Sequence, residues 1–149
     1  MRTIKRDIAG AFIFSNDNHV LLGKNVKGGV YEDLWVVPGG GIDEGESKVE
    51  AARRELLEEV GIDINDGTVE EVDYPLTGTA EKTLRDTGER VFVDMTFYNF
   101  KVSIDAAAKD IPMHLEDDFD HAEWVPFDEL KGKSYSPSVE AILKHLELI

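Results

Sequence analysis

The sequence predicts an α+β domain in which a mixed β-sheet lies between helices. Three observations support this fold class. Segments of strand length and two amphipathic segments of helix length follow the order strands, helix, strands, helix. Apolar residues make up 42% of the 149 residues, enough for one hydrophobic core. No internal repeat or low-complexity linker divides the chain, so we expect residues 1–149 to form a single domain.

The first predicted elements are two strands over residues 8–14 and 19–24. The intervening Ser15-Asn16-Asp17-Asn18 is a turn sequence, so the pair is predicted to form a hairpin. A short apolar group at residues 34–37 follows. The run Pro38-Gly39-Gly40-Gly41 is predicted to stop regular structure, because it combines a proline with three glycines.

The clearest helix is predicted over about residues 47–60. Ser47 followed three positions later by Glu50 forms a capping box, and Gly61 occupies a C-cap position. At 100° per residue, three carboxylates share one side of this helix. The other side carries the apolar residues that we expect to face the sheet: Val49, Leu56, Leu57 and Val60.

Three elements are predicted in the second half of the chain. Residues 68–76 and 90–102 are expected to be strands, and the second is unusually long and rich in β-branched and aromatic side chains. The segment between them, residues 77–89, is polar and contains two glycines, so it is predicted to be a loop. A further strand is expected over residues 121–127, and a C-terminal helix begins at Ser136-Pro137.

Charge and composition exclude several classes of function. The chain has 31 acidic and 16 basic residues, a net charge of −15, which would repel a nucleic acid polymer. The absence of cysteine excludes disulfides, thiolate metal sites and cysteine nucleophiles, and suits a cytoplasmic location. The longest early apolar run, residues 8–14, is far shorter than the roughly 20 residues that span a membrane, so no membrane partner is expected.

The acidic side of the predicted helix consists of Glu55, Glu58 and Glu59. Like charges three and four residues apart destabilise a helix, and the helix dipole disfavours negative charge in the last turn. A hard divalent cation such as Mg²⁺ would relieve both penalties. The alternative is an ordinary solvated acidic face on an acidic protein.

The segment around this helix carries a longer pattern. Residues 39–62 read GGGIDEGESKVEAARRELLEEVGI. Gly40, Glu46, the run Arg54-Glu55-Leu56, the pair Glu58-Glu59 and the pair Gly61-Ile62 stand at the spacing of the Nudix signature, and every specified position matches. The chain therefore resembles the Nudix hydrolases and looks like one MutT-like domain.

The resemblance implies a fold and a reaction. The fold is an α/β/α sandwich with a mixed sheet. The reaction is the Mg²⁺-dependent hydrolysis of the diphosphate bond of a nucleoside diphosphate linked to a second group X, with Mn²⁺ as a substitute metal. The partner would be a small nucleotide, such as a nucleoside triphosphate or a nucleotide sugar. The oligomeric state, monomer or homodimer, stays open. The alternative is a catalytically silent binding or regulatory module that has kept the fold.

The resemblance also implies roles for individual residues. Four positions would bind metal: Gly39 through its backbone carbonyl, and the carboxylates of Glu55, Glu58 and Glu59. Glu55 would alternatively orient the attacking water. Arg54 would hold the neighbouring carboxylates, and Glu46 would be its partner in the loop before the helix. Family members often add a further acidic residue from an outside loop, and Asp118, or Glu116 two residues before it, is the candidate here. The alternative is a solvated acidic loop.

Cationic and aromatic side chains near two loops are the candidates for substrate contact. Basic residues are scarce in this chain, so their grouping suggests phosphate binding. The candidates before the signature are Lys24, Lys27 and Tyr31, and those around the middle loop are Arg85 and Arg90. Each could also be an ordinary surface residue. No sequence marker identifies the preferred nucleotide.

Overall fold

The computed structural model describes residues 1–24, 33–115 and 121–149. Within these ranges the chain forms seven strands and two α-helices. The elements are β1 (Arg2–Phe14), β2 (His19–Lys24), β3 (Gly39–Gly41), α1 (Lys48–Val60), β4 (Thr68–Glu71), β5 (Leu76–Thr83), β6 (Arg90–Ser103), β7 (His121–Pro126) and α2 (Pro137–His145). In these parts of the chain, neither α-helix has the length and apolar character needed to cross a membrane.

All seven strands belong to one sheet. Its main path is β4-β6-β1-β2-β7, while β3 pairs with β1 and β5 pairs with β6. The central pair, β1 and β6, is parallel and runs in register from Arg2 opposite Val91 to Phe14 opposite Ser103. The other pairs are antiparallel. The prediction of a mixed sheet is therefore confirmed.

The two helices cover opposite faces of this sheet. Alternate side chains of a strand point to opposite faces. Ala11 and Ile13 of β1 accordingly share a core cluster with residues of α1, including Leu56. Phe12 and Phe14 share a second cluster with residues of α2. This arrangement confirms that the sheet lies between helices.

Local sequence signals determine both ends of α1, as predicted. The Ser47 side chain accepts a hydrogen bond from the backbone N–H of Glu50, and the Glu50 carboxylate accepts one from the backbone N–H of Ser47. Gly61 ends the helix in the left-handed conformation, at φ 70°, and donates its N–H to the Leu56 carbonyl. Together these caps determine where the helix starts and stops beside β3.

The apolar side of α1 is displaced from its predicted position. Leu56 and Val60 are buried as expected, but Val49 and Leu57 are 42% and 41% exposed. Ala51, Ala52 and Glu59 are buried instead. The small alanine side chains let the helix approach the backbone of the sheet closely. The carboxylate-bearing side is therefore turned partly toward the sheet.

Two predictions of irregular structure are wrong. Gly39–Gly41 form β3, which pairs with β1 through Gly10 opposite Gly39. A Cβ on Gly39 would lie 2.5 Å from the Ala9 carbonyl oxygen, so the absence of side chains permits this close pairing. Part of the predicted 77–89 loop is strand β5, which pairs along β6 although it offers few apolar side chains.

The predicted strand boundaries also change. β1 begins at Arg2 rather than at residue 8, because its polar first half pairs with β6. The predicted 68–76 strand ends at Glu71. The strands at 90–102 and 121–127 and the C-terminal helix lie where the sequence predicts them, within one residue at their starts.

Candidate active site

The candidate site forms where α1 packs against the glycine strand β3. A Cβ on Gly40 would lie 2.5 Å from both the carboxylate carbon and one oxygen of Glu55. Because Gly40 has no side chain, this carboxylate can lie directly against the strand. The Glu55 side chain is only 16% exposed, and burial raises its pKa, while the neighbouring Arg54 opposes that rise.

Arg54 connects the loop before α1, the helix itself and β3. Its Nε and Nη2 donate to the two carboxylate oxygens of Glu46, at 2.8 and 3.1 Å. Its Nη1 donates to Glu55 Oε1 at 2.8 Å, and its Nη2 also donates to the Gly41 carbonyl at 2.9 Å. The hydrogen bonds from Arg54 lower the pKa of Glu46 and raise the pKa of Arg54. The guanidinium therefore holds Glu55 in one position.

The remaining two carboxylates of the helix differ in their surroundings. Glu59 is 9% exposed, and its Oε1 accepts a 2.8 Å hydrogen bond from the backbone N–H of Gly39. Glu58 is 48% exposed at its side chain, with Oε2 3.5 Å from Nη1 of Arg54. Glu59 thus joins the helix to the first residue of β3, while Glu58 faces outward.

The donor set suits a divalent cation that is completed by other ligands. In the described ranges, no three Asp, Glu or His side chains form a ready metal cluster. Glu55 accepts a hydrogen bond from Arg54, and Glu59 accepts one from the backbone N–H of Gly39. However, Mg²⁺ in proteins takes one or two carboxylates and keeps waters or substrate phosphates as further ligands. Hard carboxylate oxygens beside a glycine backbone fit that requirement.

Lys24 lies beside the segment that leads into β3. It ends β2, and its neighbour Gly23 forms a bridge with Val36. Its Nζ lies 4.8 Å from the centre of the Trp35 ring, and Nζ of Lys133 lies 4.9 Å from the same ring. The predicted site residues Lys27, Tyr31 and Asp118, together with Glu116, lie outside the described residues.

The structure does not bring Arg85 and Arg90 to this site. Both lie at the far end of the β5–β6 hairpin, where Arg90 Nη2 donates to Glu81 at 3.0 Å. Gly41 pairs with Ile8, and Ile8 pairs with Phe97, so Phe97 is the residue of β6 that lies level with the site. Phe97 lies seven residues beyond Arg90, a distance of about 23 Å. The hairpin therefore carries these arginines away from α1, and a contact between them and substrate stays a prediction.

Arg6 lies near the site, although no sequence pattern indicates it. Its guanidinium lies against Gly41, where an added Cβ would be 3.0 Å from Cζ and closer still to Nη2. Only the pairing of β1 with β3 brings the two residues together. This contact cannot be found from the sequence, because the sequence pattern does not predict strand β3.

Gly40→Ala is expected to reduce kcat about 100-fold with little loss of stability. The new methyl group must displace the Glu55 carboxylate from the hydrogen bond with Arg54, and a shift of about 1 Å at a catalytic group costs about that factor. Steady-state kinetics and thermal melting check this. Gly45→Ala is the control for the loop, because no atom lies within 4 Å of an added Cβ there, although its φ of 82° makes that variant less stable. Unchanged kcat in Gly40→Ala would contradict a catalytic role for this contact.

The architecture and the site together define a class of protein. A mixed sheet between two helices, with a carboxylate-bearing helix against a glycine strand, is the Nudix type of fold. The family model of the NUDIX domain matches residues 4–146. The chain belongs to the NUDIX family.

Solved structures share the fold across the whole chain. The dihydroneopterin triphosphate pyrophosphohydrolase of E. coli matches with a TM-score of 0.72 at 19% identity, over 98% of this chain and 99% of that one. A MutT protein of Methanosarcina mazei Go1 matches with a TM-score of 0.69 at 17% identity, over 99% of this chain and 96% of that one. At these identities the likeness concerns the fold alone.

Two kinds of curated relative resemble this chain. The RNA pyrophosphohydrolase of Wolbachia sp. subsp. Brugia malayi is 47% identical over 58 residues, which are 39% of this chain and 34% of that protein. The chain thus spans about a third of the length of the RNA pyrophosphohydrolases it matches. The nucleoside triphosphatase NudI of Klebsiella pneumoniae is 27% identical over 142 residues, covering 92% of this chain and 94% of that protein.

Proposed function

We propose that residues 1–149 form one catalytic domain, a Nudix-type pyrophosphohydrolase. Its reaction is the hydrolysis of the diphosphate bond in a nucleoside diphosphate linked to a second group. The observation that carries this proposal is the network in which Arg54 holds both Glu46 and Glu55 against β3. A catalytically silent module would have no need to hold a carboxylate that is only 16% exposed in one position, so enzymatic activity is favoured.

The divalent cation in this proposal is Mg²⁺, with Mn²⁺ as a substitute. Glu58, Glu59 and the carbonyl of Gly39 are the groups that would hold it, and Glu55 would either join them or act on the attacking water. When bound, Mg²⁺ neutralises the diphosphate, lowers the pKa of a water molecule and stabilises the departing phosphate. Its charge also lets a protein of net charge −15 bind an anion.

The side chains of the network have distinct roles in the proposal. Glu55 accepts the proton of the attacking water at its carboxylate, for which burial and the resulting rise in its pKa prepare it. Arg54 holds that carboxylate in place, and Glu46 orients Arg54. Lys24 supplies positive charge near the entrance to β3. Lys27 and Tyr31 remain predicted substrate contacts, and Asp118 remains a predicted catalytic acidic residue, from their sequence positions.

A nucleoside triphosphate is the favoured substrate, ahead of a nucleotide sugar. One relative that this chain matches over nearly its full length is named a nucleoside triphosphatase, whereas the match to RNA pyrophosphohydrolases covers about a third of those proteins. The net charge of −15 also opposes binding of a long phosphate backbone. Both considerations favour a small nucleotide.

A substrate panel tests the proposal. Purified protein is incubated with nucleoside triphosphates, nucleotide sugars and a 5′-triphosphorylated oligonucleotide, each with Mg²⁺, with Mn²⁺ and with chelator. We expect metal-dependent release of pyrophosphate or phosphate from at least one nucleoside triphosphate. Absence of turnover on every compound, with nucleotide binding retained, would support the silent module instead.

A further inference from the structure

The two faces of β3 carry different charges. Gly40 and Gly41 are neighbours in a strand, so their missing side chains point to opposite faces. On the face of Gly40 lies the carboxylate of Glu55, and on the face of Gly41 lies the guanidinium of Arg6. The backbone of β3 therefore separates an anionic group from a cationic one, with no side chain of its own between them.

Arg6 differs from the other arginines in having no side-chain ion pair or hydrogen bond among the described residues. Arg2, Arg53 and Arg90 each form an ion pair at 2.8 to 3.0 Å, and Arg54 contacts several carboxylates. Arg85 also has an interaction partner. Arg6 makes no ion pair or hydrogen bond through its side chain with any residue in the described ranges. In a chain with 31 acidic residues, an exposed arginine without such a partner is available for an external anion.

The position of Arg6 is a built feature of the strand. A side chain on Gly41 would occupy the place of the guanidinium. The carbonyl of Gly41 at the same time accepts the hydrogen bond from Arg54, so two guanidinium groups contact one glycine. Arg54 is committed to carboxylates of the site, whereas Arg6 is not.

We propose that Arg6 binds phosphate oxygens of the substrate beside β3. The ligand class is a di- or triphosphate group, which the planar guanidinium can bind through two parallel hydrogen bonds. This inference rests on the proposed function, because it has the phosphate chain of the same substrate reach from the carboxylate face of β3 to the face that carries Arg6. Arg6 is a binding residue in this assignment and takes no part in proton transfer.

The first test measures binding without turnover. Methylenediphosphonate, whose P–C–P bridge cannot be hydrolysed, is titrated with Mg²⁺ into the wild-type protein, Arg6→Gln and Lys5→Gln by calorimetry. Lys5→Gln is the matched control, because it removes the same charge from the adjacent exposed residue. We expect Arg6→Gln to weaken binding about tenfold, the loss typical of one charge-assisted contact, and Lys5→Gln to change it less than twofold.

The second test separates affinity from chemistry. With the best substrate of the panel, Arg6→Gln should raise KM about tenfold and leave kcat within about twofold, because the contact is equal in ground and transition states. Arg6→Lys should give an intermediate KM, since an ammonium keeps the charge and loses the paired hydrogen bonds. The difference in KM between the wild type and Arg6→Gln should be smaller in high salt, because salt screens an exposed charge.

Gly41→Ala tests the geometry while keeping the charge. Its methyl group should displace the flexible end of Arg6 and raise KM to a similar extent. In the double variant Arg6→Gln/Gly41→Ala, KM should be no higher than in Arg6→Gln alone. Additive losses would overturn the assignment of Gly41 as the residue that makes room for Arg6.

Failure of this inference can be told apart from failure of the proposed function. If Arg6→Gln and Lys5→Gln bind methylenediphosphonate equally, or if the wild type does not bind it, the role of Arg6 is overturned. If the wild type binds the probe, Arg6→Gln binds it about tenfold more weakly, and the wild type hydrolyses no compound of the panel, then the hydrolase proposal fails and the phosphate site stands.

Discussion

Replacing Glu59 or Glu58 by glutamine is expected to reduce kcat about 1000-fold or more while the protein stays folded. Removing a single group that stabilises developing charge already costs about 100- to 1000-fold in other enzymes, and these carboxylates are the proposed holders of the metal. Glutamine at position 59 keeps an oxygen that can accept the hydrogen bond from the Gly39 N–H, so this contact between α1 and β3 is retained. Glu58 is 48% exposed, and its neutralisation should hardly affect folding.

The measurements are kcat with Mg²⁺, Mg²⁺ uptake by calorimetry in the presence of nucleotide, and the melting temperature. Glu70→Gln is the control, since it removes one negative charge from an exposed residue of β4. That variant should retain wild-type kcat. Activity within about tenfold of wild type in Glu58→Gln or Glu59→Gln would refute the assigned metal-binding role of that residue.

The features predicted correctly from the sequence are those that depend on near neighbours in the chain. Ser47, Glu50 and Gly61 determine the ends of α1 through contacts within a few residues. The shared side of the three helix carboxylates follows from the 3.6-residue period. The pairing of Arg54 with Glu46 is present as the family resemblance implies, since eight residues of loop and helix bring them together.

The features that sequence patterns missed depend on pairing between distant strands. β3 has no side chains, so neither propensity nor hydrophobic alternation can indicate it, yet it contacts both Glu55 and Arg6. β5 forms because β6 offers it a backbone partner. The same hairpin moves Arg90 away from the site, a displacement that the order of residues along the chain does not reveal.

Replacing Arg54 by glutamine is expected to reduce kcat about 100-fold and to raise the pKa of Glu55 above its already raised value. Burial raises this pKa, and so do the nearby negative charges of Glu58 and Asp43, whereas Arg54 is the group that lowers it. Without the guanidinium, the neutral form of Glu55 becomes more favourable and its carboxylate loses a 2.8 Å hydrogen bond. At a given pH, fewer molecules then carry the ionised carboxylate that can accept a proton.

The pKa of Glu55 is measured from the ¹³C chemical shift of its carboxyl group in the metal-free protein, so that no bound cation alters the pKa. The value of kcat is measured separately with Mg²⁺. Arg54→Lys should raise the pKa of Glu55 less than Arg54→Gln does, because an ammonium retains the charge. Its kcat should still fall, since one ammonium cannot hold Glu46, Glu55 and Gly41 in the geometry of the planar guanidinium.

Arg53→Gln is the matched control: Arg53 precedes Arg54 on the same helix and pairs with Asp63 instead. If the pKa of Glu55 stays the same in Arg54→Gln and Arg53→Gln, Arg54 does not control this carboxylate, and the loss of kcat must come from the loop that Glu46 holds. If the pKa rises only in Arg54→Gln, one guanidinium both holds Glu55 against β3 and keeps it ionised enough to accept a proton.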